Sequence, residues 1–224
     1  MYNIKGTRAW IFDYGGTLDT GGHHWGRVLW HFWQQAGVPV DEQQFRDAYV
    51  FAERMLGSQP IIKRDFTFYQ TLREKLRIEL QQVGHQAYCA TLLDRVYESI
   101  RQHTVHSREV LQKLEGPKVL VTNFYGNMPT VLREFGLDGL FLQVIESALV
   151  GVRKPDPRIF LLGVEALGLR AEEVTVVGDS LSKDIAPARR LGCHTVWLRG
   201  EQWTDAAVDE SAAECIINDL EELL

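Results

Sequence analysis

Six short apolar segments bounded by turn residues constrain the fold of this chain more than any other feature. They are Arg8–Asp13, Lys118–Asn123, Gln143–Glu146, Val174–Asp179, His194–Leu198 and the shorter Cys215–Asn218. Segments of this length that are apolar almost throughout are typical of strands buried on both faces. Helical patterns lie between several of them, at Met128–Phe135, Pro157–Leu167 and Ser182–Leu191. Strands that alternate with helices predict an α/β fold in which helices cover both faces of a parallel sheet.

The stretch between the first and second predicted strands has a different period. From about residue 21 to residue 106 the apolar residues recur at helical spacing. Two capping boxes mark helix starts there, Asp41 with Gln44 and Thr67 with Gln70. We therefore predict a Rossmann-like, doubly wound sheet domain formed by residues 1–20 and 107–224. An all-helical domain, residues 21–106, is inserted into it after the first strand.

Composition excludes several classes of protein. The 224 residues are 45% hydrophobic, which is enough to bury a core and argues against a disordered chain. The net charge is −6, with 24 basic against 30 acidic residues, so we expect neither a nucleic-acid partner nor a membrane partner. The sequence has no signal-peptide pattern and no run of about 18 apolar residues, so we expect a cytoplasmic protein. We further expect a monomer or weak homodimer.

Polar residues end the predicted strands. Asp13 closes the first strand, Thr122 and Asn123 close the second, and Asp179 closes the fourth. Lys154 stands just before a helix start, at Lys-Pro-Asp-Pro. In a doubly wound sheet the ligand binds at the carboxyl ends of the strands. We therefore expect these carboxylates, the hydroxyl and the lysine to meet at one edge of the sheet.

Four motifs in this order resemble those of the haloacid dehalogenase-type hydrolases. They are FDxxGTL, VTN, GxxKPDPxIF and VVGDSxxxDIxxA. The resemblance covers essentially the whole chain, and the combination is far more specific than any single motif. It implies the same sheet domain with a helical cap inserted between the first and second motifs.

The resemblance also implies a role for each motif residue. Asp13 matches the nucleophile that forms an aspartyl-phosphate. Thr122 and Asn123 match residues that hold phosphoryl oxygens, and Lys154 matches the lysine that offsets the charge of the phosphoryl group. The implied ligands of Mg²⁺ are Asp13, Asp179 and the backbone carbonyl of Gly15. Asp184 matches an acid that supports the metal or Lys154 from outside the set of direct ligands.

Gly15 departs from the family pattern. Members that hydrolyse phosphate esters usually have an aspartate two residues after the nucleophile, which protonates the leaving alcohol. Possible replacements near the predicted junction of core and cap are Asp19, His23, His24 and Tyr14, each of which also has an ordinary structural explanation. The tryptophans at 25, 30 and 33 are interpreted as cap core, with one of the first two left as a candidate to face the site.

These observations favour a Mg²⁺-dependent phosphatase or phosphotransferase that acts on a small phosphorylated metabolite. Gly15 directs the prediction toward leaving groups that need little protonation, such as acyl phosphates or anhydrides, with weak activity on ordinary esters. Two alternatives remain open at this stage. One is a pseudoenzyme that binds a phosphorylated ligand or partner without turnover, and the other is a metal-independent dehalogenase.

Overall fold

A computed structural model describes residues 6–204 and 209–224 of the chain. Its centre is a sheet of six parallel strands in the order β3-β2-β1-β4-β5-β6. The strands are β1 Ala9–Phe12, β2 Lys118–Thr122, β3 Gln143–Glu146, β4 Val174–Gly178, β5 His194–Leu198 and β6 Cys215–Ile217. The predicted α/β fold with a doubly wound parallel sheet is thereby confirmed, including its short last strand.

The strands form at the predicted segments because both of their faces are buried. Every residue of β1, β2 and β4 is buried. Successive side chains alternate between two apolar cores, so that Ile11 packs in one and Phe12 in the other. This burial fixes the register that pairs Phe12 with Leu120 on one side and with Val177 on the other. The ends of β1, β2 and β4 therefore lie side by side.

Four long helices follow β1. They are α1 Trp25–Ala36, α2 Glu42–Ser58, α3 Phe68–Val83 and α4 Cys89–Lys113, and we call them together the helical insert. Both predicted capping boxes are present, at Asp41 with Gln44 and at Thr67 with Gln70. Gly84 ends α3 in the left-handed conformation with φ 76°, as a terminal glycine does in many helices. The capping boxes thus predicted the starts of α2 and α3 correctly.

Helix α4 runs through the predicted domain boundary. It is continuous over 25 residues, so residues 106 and 107 both lie inside it. Ser107 donates a 2.8 Å hydrogen bond from its hydroxyl to the carbonyl of Leu18, which ties the second half of α4 to the segment after β1. The division of the chain into a core and a cap remains a prediction.

Four shorter helices complete the fold. They are α5 Met128–Glu134, α6 Ser147–Val150, α7 Arg158–Leu167 and α8 Ala186–Arg190. The segment Ser182–Leu191, predicted as one helix, differs from the expectation because a wider π-helical turn, Leu181–Ile185, precedes α8. The backbone N–H groups of Asp184 and Ile185 both donate to the carbonyl of Ser180 in that turn. Within the described residues, no helix is long and apolar enough to cross a membrane.

The loop after β5 fastens the helical insert to the sheet. The indole of Trp203 packs 5.0 Å from the ring centres of both His24 and Tyr49. The guanidinium of Arg46 lies 4.2 Å above that indole and donates a 2.9 Å hydrogen bond to the Trp203 carbonyl. Gly26 is required beneath Trp203, because a Cβ atom there would overlap the indole ring. These contacts hold α1 and α2 over the carboxyl edge of the sheet.

Candidate active site

A cavity of about 360 Å³ lies where the helical insert faces the carboxyl edge of the sheet. The sheet side of the cavity carries all the side chains predicted for the site, namely Asp13, Thr122, Asn123, Lys154, Asp179 and Asp184. Gly15 also lines it. The structure thus brings together residues that the sequence separates by as much as 171 positions, because parallel strands end at a common edge.

Lys154 joins two of the carboxylates. Its Nζ atom donates 2.6 Å hydrogen bonds to Oδ1 of Asp13 and to Oδ1 of Asp184, and all three groups are buried. Burial lowers the pKa of Lys154, but the two carboxylates outweigh burial and raise that pKa overall. The ammonium group therefore stays charged. Asp184 also accepts a hydrogen bond from the backbone N–H of Ser180, which holds its carboxylate in place.

Thr17 connects Asp13 to Asp179. Its hydroxyl lies 3.3 Å from Oδ2 of Asp13 and 3.2 Å from Oδ1 of Asp179, and it accepts a hydrogen bond from the Asp179 backbone N–H. The close packing of these groups requires glycine at two neighbouring positions. A Cβ atom at Gly16, where φ is 101°, would overlap the Asp179 carboxylate, and one at Gly178 would overlap the side chain of Asp184.

The three carboxylates fit a divalent metal ion. Asp13, Asp179 and Asp184 each offer a carboxylate oxygen, and these oxygens all lie within 4.8 Å of one another. Three buried carboxylates with one lysine leave an excess of negative charge, and hard oxygen ligands suit Mg²⁺. Burial raises the pKa of Asp13 to about 6, opposed by Lys154, and burial raises the pKa of Asp179 well above its usual value. A bound cation would relieve this unfavourable burial of negative charge.

Thr122 and Asn123 occupy the end of β2. The hydroxyl of Thr122 is buried and forms no hydrogen bond with any described residue, although it lines the cavity. An unsatisfied buried hydroxyl at this place is available to a ligand oxygen. The Asn123 side chain is bonded instead to the backbone of Lys154, as donor to its carbonyl at 3.2 Å and as acceptor from its N–H at 3.0 Å. Asn123 thus positions Lys154, and its contact with phosphate remains a prediction.

The conformation of Gly15 does not require glycine. Its φ is not positive, in contrast to that of Gly16. A Cβ atom at Gly15 would find Nε1 of Trp25 at 3.8 Å as its nearest neighbour, which is an ordinary van der Waals distance. The missing acid is therefore not explained by backbone strain or by a clash at Cβ. Trp25 lines the cavity on this side, whereas Trp33 is buried in the apolar core.

Of the four candidate replacements for the missing acid, only His24 lines the cavity. Its Nδ1 atom accepts a 3.0 Å hydrogen bond from the backbone N–H of Gly26 and so caps α1. Burial lowers the pKa of His24 to about 3. The ring is therefore neutral with its proton on Nε2, and its one lone pair is already used. His24 can donate a hydrogen bond into the cavity, but it is not placed to act as a base.

The other three candidates have structural contacts instead. Asp19 is buried, and its two oxygens accept hydrogen bonds from the Gly16 backbone N–H at 2.7 Å and from Nε1 of Trp25 at 2.9 Å. Burial raises the pKa of Asp19 to about 8, although these two donors oppose the change. His23 accepts a hydrogen bond from the backbone N–H of Glu201. The Tyr14 ring lies in the apolar core, and burial raises its pKa.

The helical side of the cavity carries a charged cluster that our sequence reasoning missed. Lys75 of α3 pairs with Glu53 of α2 and, at 3.4 Å, with Glu79 of α3. The hydroxyl of Tyr125, which follows β2, donates to both oxygens of Glu53 at 3.2 and 3.3 Å. A signal for part of this cluster exists in the sequence. Lys75 and Glu79 interrupt the apolar face of α3, where charged side chains are not expected without a partner.

Comparison with known proteins agrees with this geometry. A sequence profile described as haloacid dehalogenase-like hydrolase matches residues 7–192. Glyceraldehyde 3-phosphate phosphatase of Methanocaldococcus jannaschii is 39% identical over 93 residues, which are 42% of this chain and 40% of that protein. Phosphoserine phosphatase of Thermus thermophilus is 37% identical over 109 residues, which are 46% of this chain and 41% of that protein. The matched segments thus span about two fifths of each relative.

Solved structures resemble the whole chain. A dehalogenase determined with an intermediate complex superposes with a TM-score of 0.65 at 20% identity, over 98% of this chain and 96% of the other. A Bacillus subtilis protein described as a putative hydrolase of the same superfamily, bound to magnesium, gives a TM-score of 0.59 at 21% identity, with 98% and 97% covered. At these identities the likeness concerns the fold.

Proposed function

Because the chain belongs to the haloacid dehalogenase-like hydrolases, we propose that it is a Mg²⁺-dependent phosphatase or phosphotransferase for a small phosphorylated metabolite. The observation that carries the proposal is the buried carboxylate cluster around Lys154, next to the unsatisfied hydroxyl of Thr122 in the same cavity. The relatives whose names describe phosphatases support the same chemistry.

In this proposal the carboxylate of Asp13 attacks phosphorus. A bond forms between an Asp13 oxygen and phosphorus while the bond from phosphorus to the leaving group breaks, which gives an aspartyl-phosphate. The oxygen of water, or of another acceptor in a phosphotransferase, then bonds to phosphorus while the bond from phosphorus to the Asp13 oxygen breaks. The carboxylate of Asp13 is restored, and the proton of the acceptor leaves with the phosphate or passes to solvent. Lys154, bonded to Asp13, offsets the negative charge of the phosphoryl group. The Thr122 hydroxyl donates to a phosphoryl oxygen.

Mg²⁺, when bound, would neutralise phosphoryl charge and orient the phosphate toward Asp13. Asp13, Asp179 and the Gly15 carbonyl would hold the ion, with Asp184 completing the acidic cluster and holding Lys154. The aspartates are preorganised for this task. Thr17 bridges two of them, and Lys154 bridges Asp13 to Asp184, so little rearrangement accompanies binding.

Gly15 shapes the choice of substrate in the proposal. An ordinary ester releases an alkoxide that needs a proton, and position 15 supplies none. An acyl phosphate or an anhydride releases a weakly basic group that leaves without a proton. Trp25, the neighbour of Gly15 that lines the cavity, also provides no acid. We therefore infer that acyl phosphates or anhydrides are the better substrates.

Gly15 also favours a second candidate function, in which the protein binds a phosphorylated ligand without turnover. One experiment separates the candidates. Phosphate release from acetyl phosphate and from ethyl phosphate is measured with Mg²⁺ and with the metal chelated, for the wild type and for Asp13→Asn. Our proposal expects metal-dependent release that favours acetyl phosphate and is lost in Asp13→Asn. Mg²⁺-dependent binding of inorganic phosphate without any release would instead support the binding protein.

The same preparation tests the dehalogenase alternative. Release of halide from a 2-haloacid in the presence of a chelator would contradict a Mg²⁺-dependent phosphatase. The acidic cluster argues against that outcome, because metal-free displacement of halide has no evident use for Asp179 beside Asp13 and Asp184.

A further inference from the structure

Glu53 is a charged and partly accessible side chain on the helical wall of the candidate active site. Its side chain is 40% accessible although it lines the cavity, whereas that of its partner Lys75 is only 7% accessible. Burial raises the pKa of Glu53, but Lys75 and the hydrogen bonds from Lys75 and Tyr125 outweigh burial and lower that pKa overall. Glu53 therefore presents a stable carboxylate to the cavity.

Lys75 is not free to bind a substrate anion. Its ammonium group is paired with Glu53, lies 3.4 Å from an oxygen of Glu79 and sits 4.1 Å from the centre of the Tyr49 ring. These three contacts surround the ammonium group, and the side chain is almost entirely buried. Lys75 thus serves to hold Glu53 in position rather than to offer its own charge.

The cluster of Glu53, Lys75 and Glu79 has a net negative charge. It holds one ammonium group and two carboxylates, and the buried Glu79 has its pKa raised to about 7 mainly by burial. Near pH 7 Glu79 is therefore only partly ionised, and Glu53 together with the ionised fraction of Glu79 outweighs the single positive charge of Lys75. Lys75 contacts only Oε1 of Glu53, whereas Tyr125 contacts both oxygens. Oε2 therefore has a single partner, the Tyr125 hydroxyl at 3.3 Å, and retains a lone pair for another donor.

Glu53 also faces the catalytic edge of the sheet. Lys183, which directly precedes Asp184 in the chain, lies near enough to contribute to lowering the pKa of Glu53. The Lys183 side chain is exposed, and its ammonium group forms no hydrogen bond or ion pair with the described residues. The Lys183 ammonium group therefore remains solvated beside the cavity, and a ligand that reaches Glu53 displaces no contact of Lys183.

We propose that Glu53 is a specificity-determining residue that selects phosphorylated substrates whose leaving group carries an ammonium group. The proposal rests on the function proposed above, with phosphate at Asp13 and Lys154 and the leaving group directed toward the helical insert. The ammonium group donates to the Glu53 carboxylate and contributes positive charge where the cluster lacks it. Aromatic side chains that line the same cavity, including Trp25 and Phe124, contact the methylene groups of the substrate.

Equilibrium binding tests this proposal without turnover. Aminoalkylphosphonates from 2-aminoethyl to 5-aminopentyl are titrated by calorimetry in the presence of Mg²⁺. Each is paired with the alkylphosphonate in which a methyl group replaces the ammonium group. We expect at least one chain length for which the amine binds about tenfold more tightly than its partner, as a charge-assisted hydrogen bond provides. The chain length that shows the preference reports the span from the phosphate to Glu53.

Two variants identify the residue responsible. Glu53→Gln keeps the shape and removes the charge, so the amine and its alkyl partner should then bind within about twofold of each other. Glu98→Gln is the matched control, because Glu98 lies on α4, is exposed, pairs with Arg101 and does not line the cavity. This control should keep the preference of the wild type.

The outcomes separate this proposal from the proposed function. Equal binding of amine and alkyl ligands to the wild type at every chain length would overturn the role of Glu53 but not the proposed phosphate site. This outcome does not depend on whether Glu53→Gln folds. A preference that survives in Glu53→Gln would also overturn it. Failure of every phosphonate to bind, together with no Mg²⁺-dependent phosphate release, would overturn the proposed function and this inference with it.

Discussion

Gly15→Asp tests whether the missing acid limits activity on phosphate esters. The structure favours a tolerated substitution, since φ at Gly15 is not positive and a Cβ atom there meets only Trp25, at 3.8 Å or more. The new carboxyl group would extend into the cavity beside Asp13. From that position it can protonate a departing alkoxide, which is the contribution that the present site lacks.

The expected gain follows from the chemistry and from the surroundings of Gly15. General acid–base assistance contributes about 10²–10⁴-fold in rate, which corresponds to about 3–5 kcal/mol of activation free energy. We expect about 10²-fold for ethyl phosphate, near the lower limit, because the new carboxyl group has to share its space with the Trp25 indole. Acetyl phosphate should gain much less, because its leaving group departs without a proton.

The assay compares kcat/KM for the two substrates, together with the melting temperature. Gly15→Asn is the matched control, because it has nearly the same shape but cannot donate a catalytic proton, and it should show no gain selective for the ester. Gly16→Ala is a second control. It should lose activity, because its Cβ atom would overlap the Asp179 carboxylate at a positive φ. If Gly15→Asp keeps the melting temperature of the wild type yet shows no ester-selective gain, the reasoning about the missing acid is refuted.

Four further predictions concern the site and its support. Asp13→Asn should abolish Mg²⁺-dependent phosphate release while circular dichroism shows an unchanged fold; retained release would contradict a nucleophilic Asp13. Asp179→Asn should weaken Mg²⁺ binding in calorimetry by at least tenfold, and equal binding to wild type and variant would rule out this ligand. Burial raises the pKa of Glu79 from 4.5 to about 7, so the folded state holds this proton more tightly than the unfolded state does. The free energy of unfolding should therefore fall as the pH rises from 4.5 to 7, by at most about 3 kcal/mol. In urea titrations Glu79→Gln should lose less of its free energy of unfolding over that range than the wild type, and parallel pH profiles would contradict the assignment. Gly26→Ala should lower the free energy of unfolding by about 1–3 kcal/mol despite the better helix propensity of alanine, because its Cβ atom would displace Trp203; an unchanged melting temperature would show that Trp203 is not held there.

Much of the fold could be predicted because the determining interactions are local or periodic. The six apolar segments became the six strands of the sheet, and the capping boxes at Asp41 and Thr67 became the starts of α2 and α3. Each of these signals depends on residues a few positions apart. The wide turn before α8 was not predicted, because it depends on how the Ser180 carbonyl serves two N–H groups in the folded chain.

The candidate site divides in the same way. Asp13, Thr122 and Asp179 could be placed together from the sequence, because each ends a strand and parallel strands end at one edge. The use of each side chain could not be predicted. Asn123 is bonded to the backbone of Lys154, 31 residues away, and this bond exists only once the two loops meet.

The sequence by itself determined the order of strands and helices along the chain, the residues that end the strands and the absence of an acidic side chain at position 15. Only the tertiary structure decided which polar groups near Gly15 face the cavity. His24 faces it with its lone pair used by α1, whereas Asp19 is buried beneath Trp25. Only the tertiary structure brought Glu53 to Tyr125, 72 residues later in the chain. The physical reason is that burial and hydrogen-bond partners depend on the packing of elements distant in sequence, whereas secondary structure depends largely on neighbouring residues.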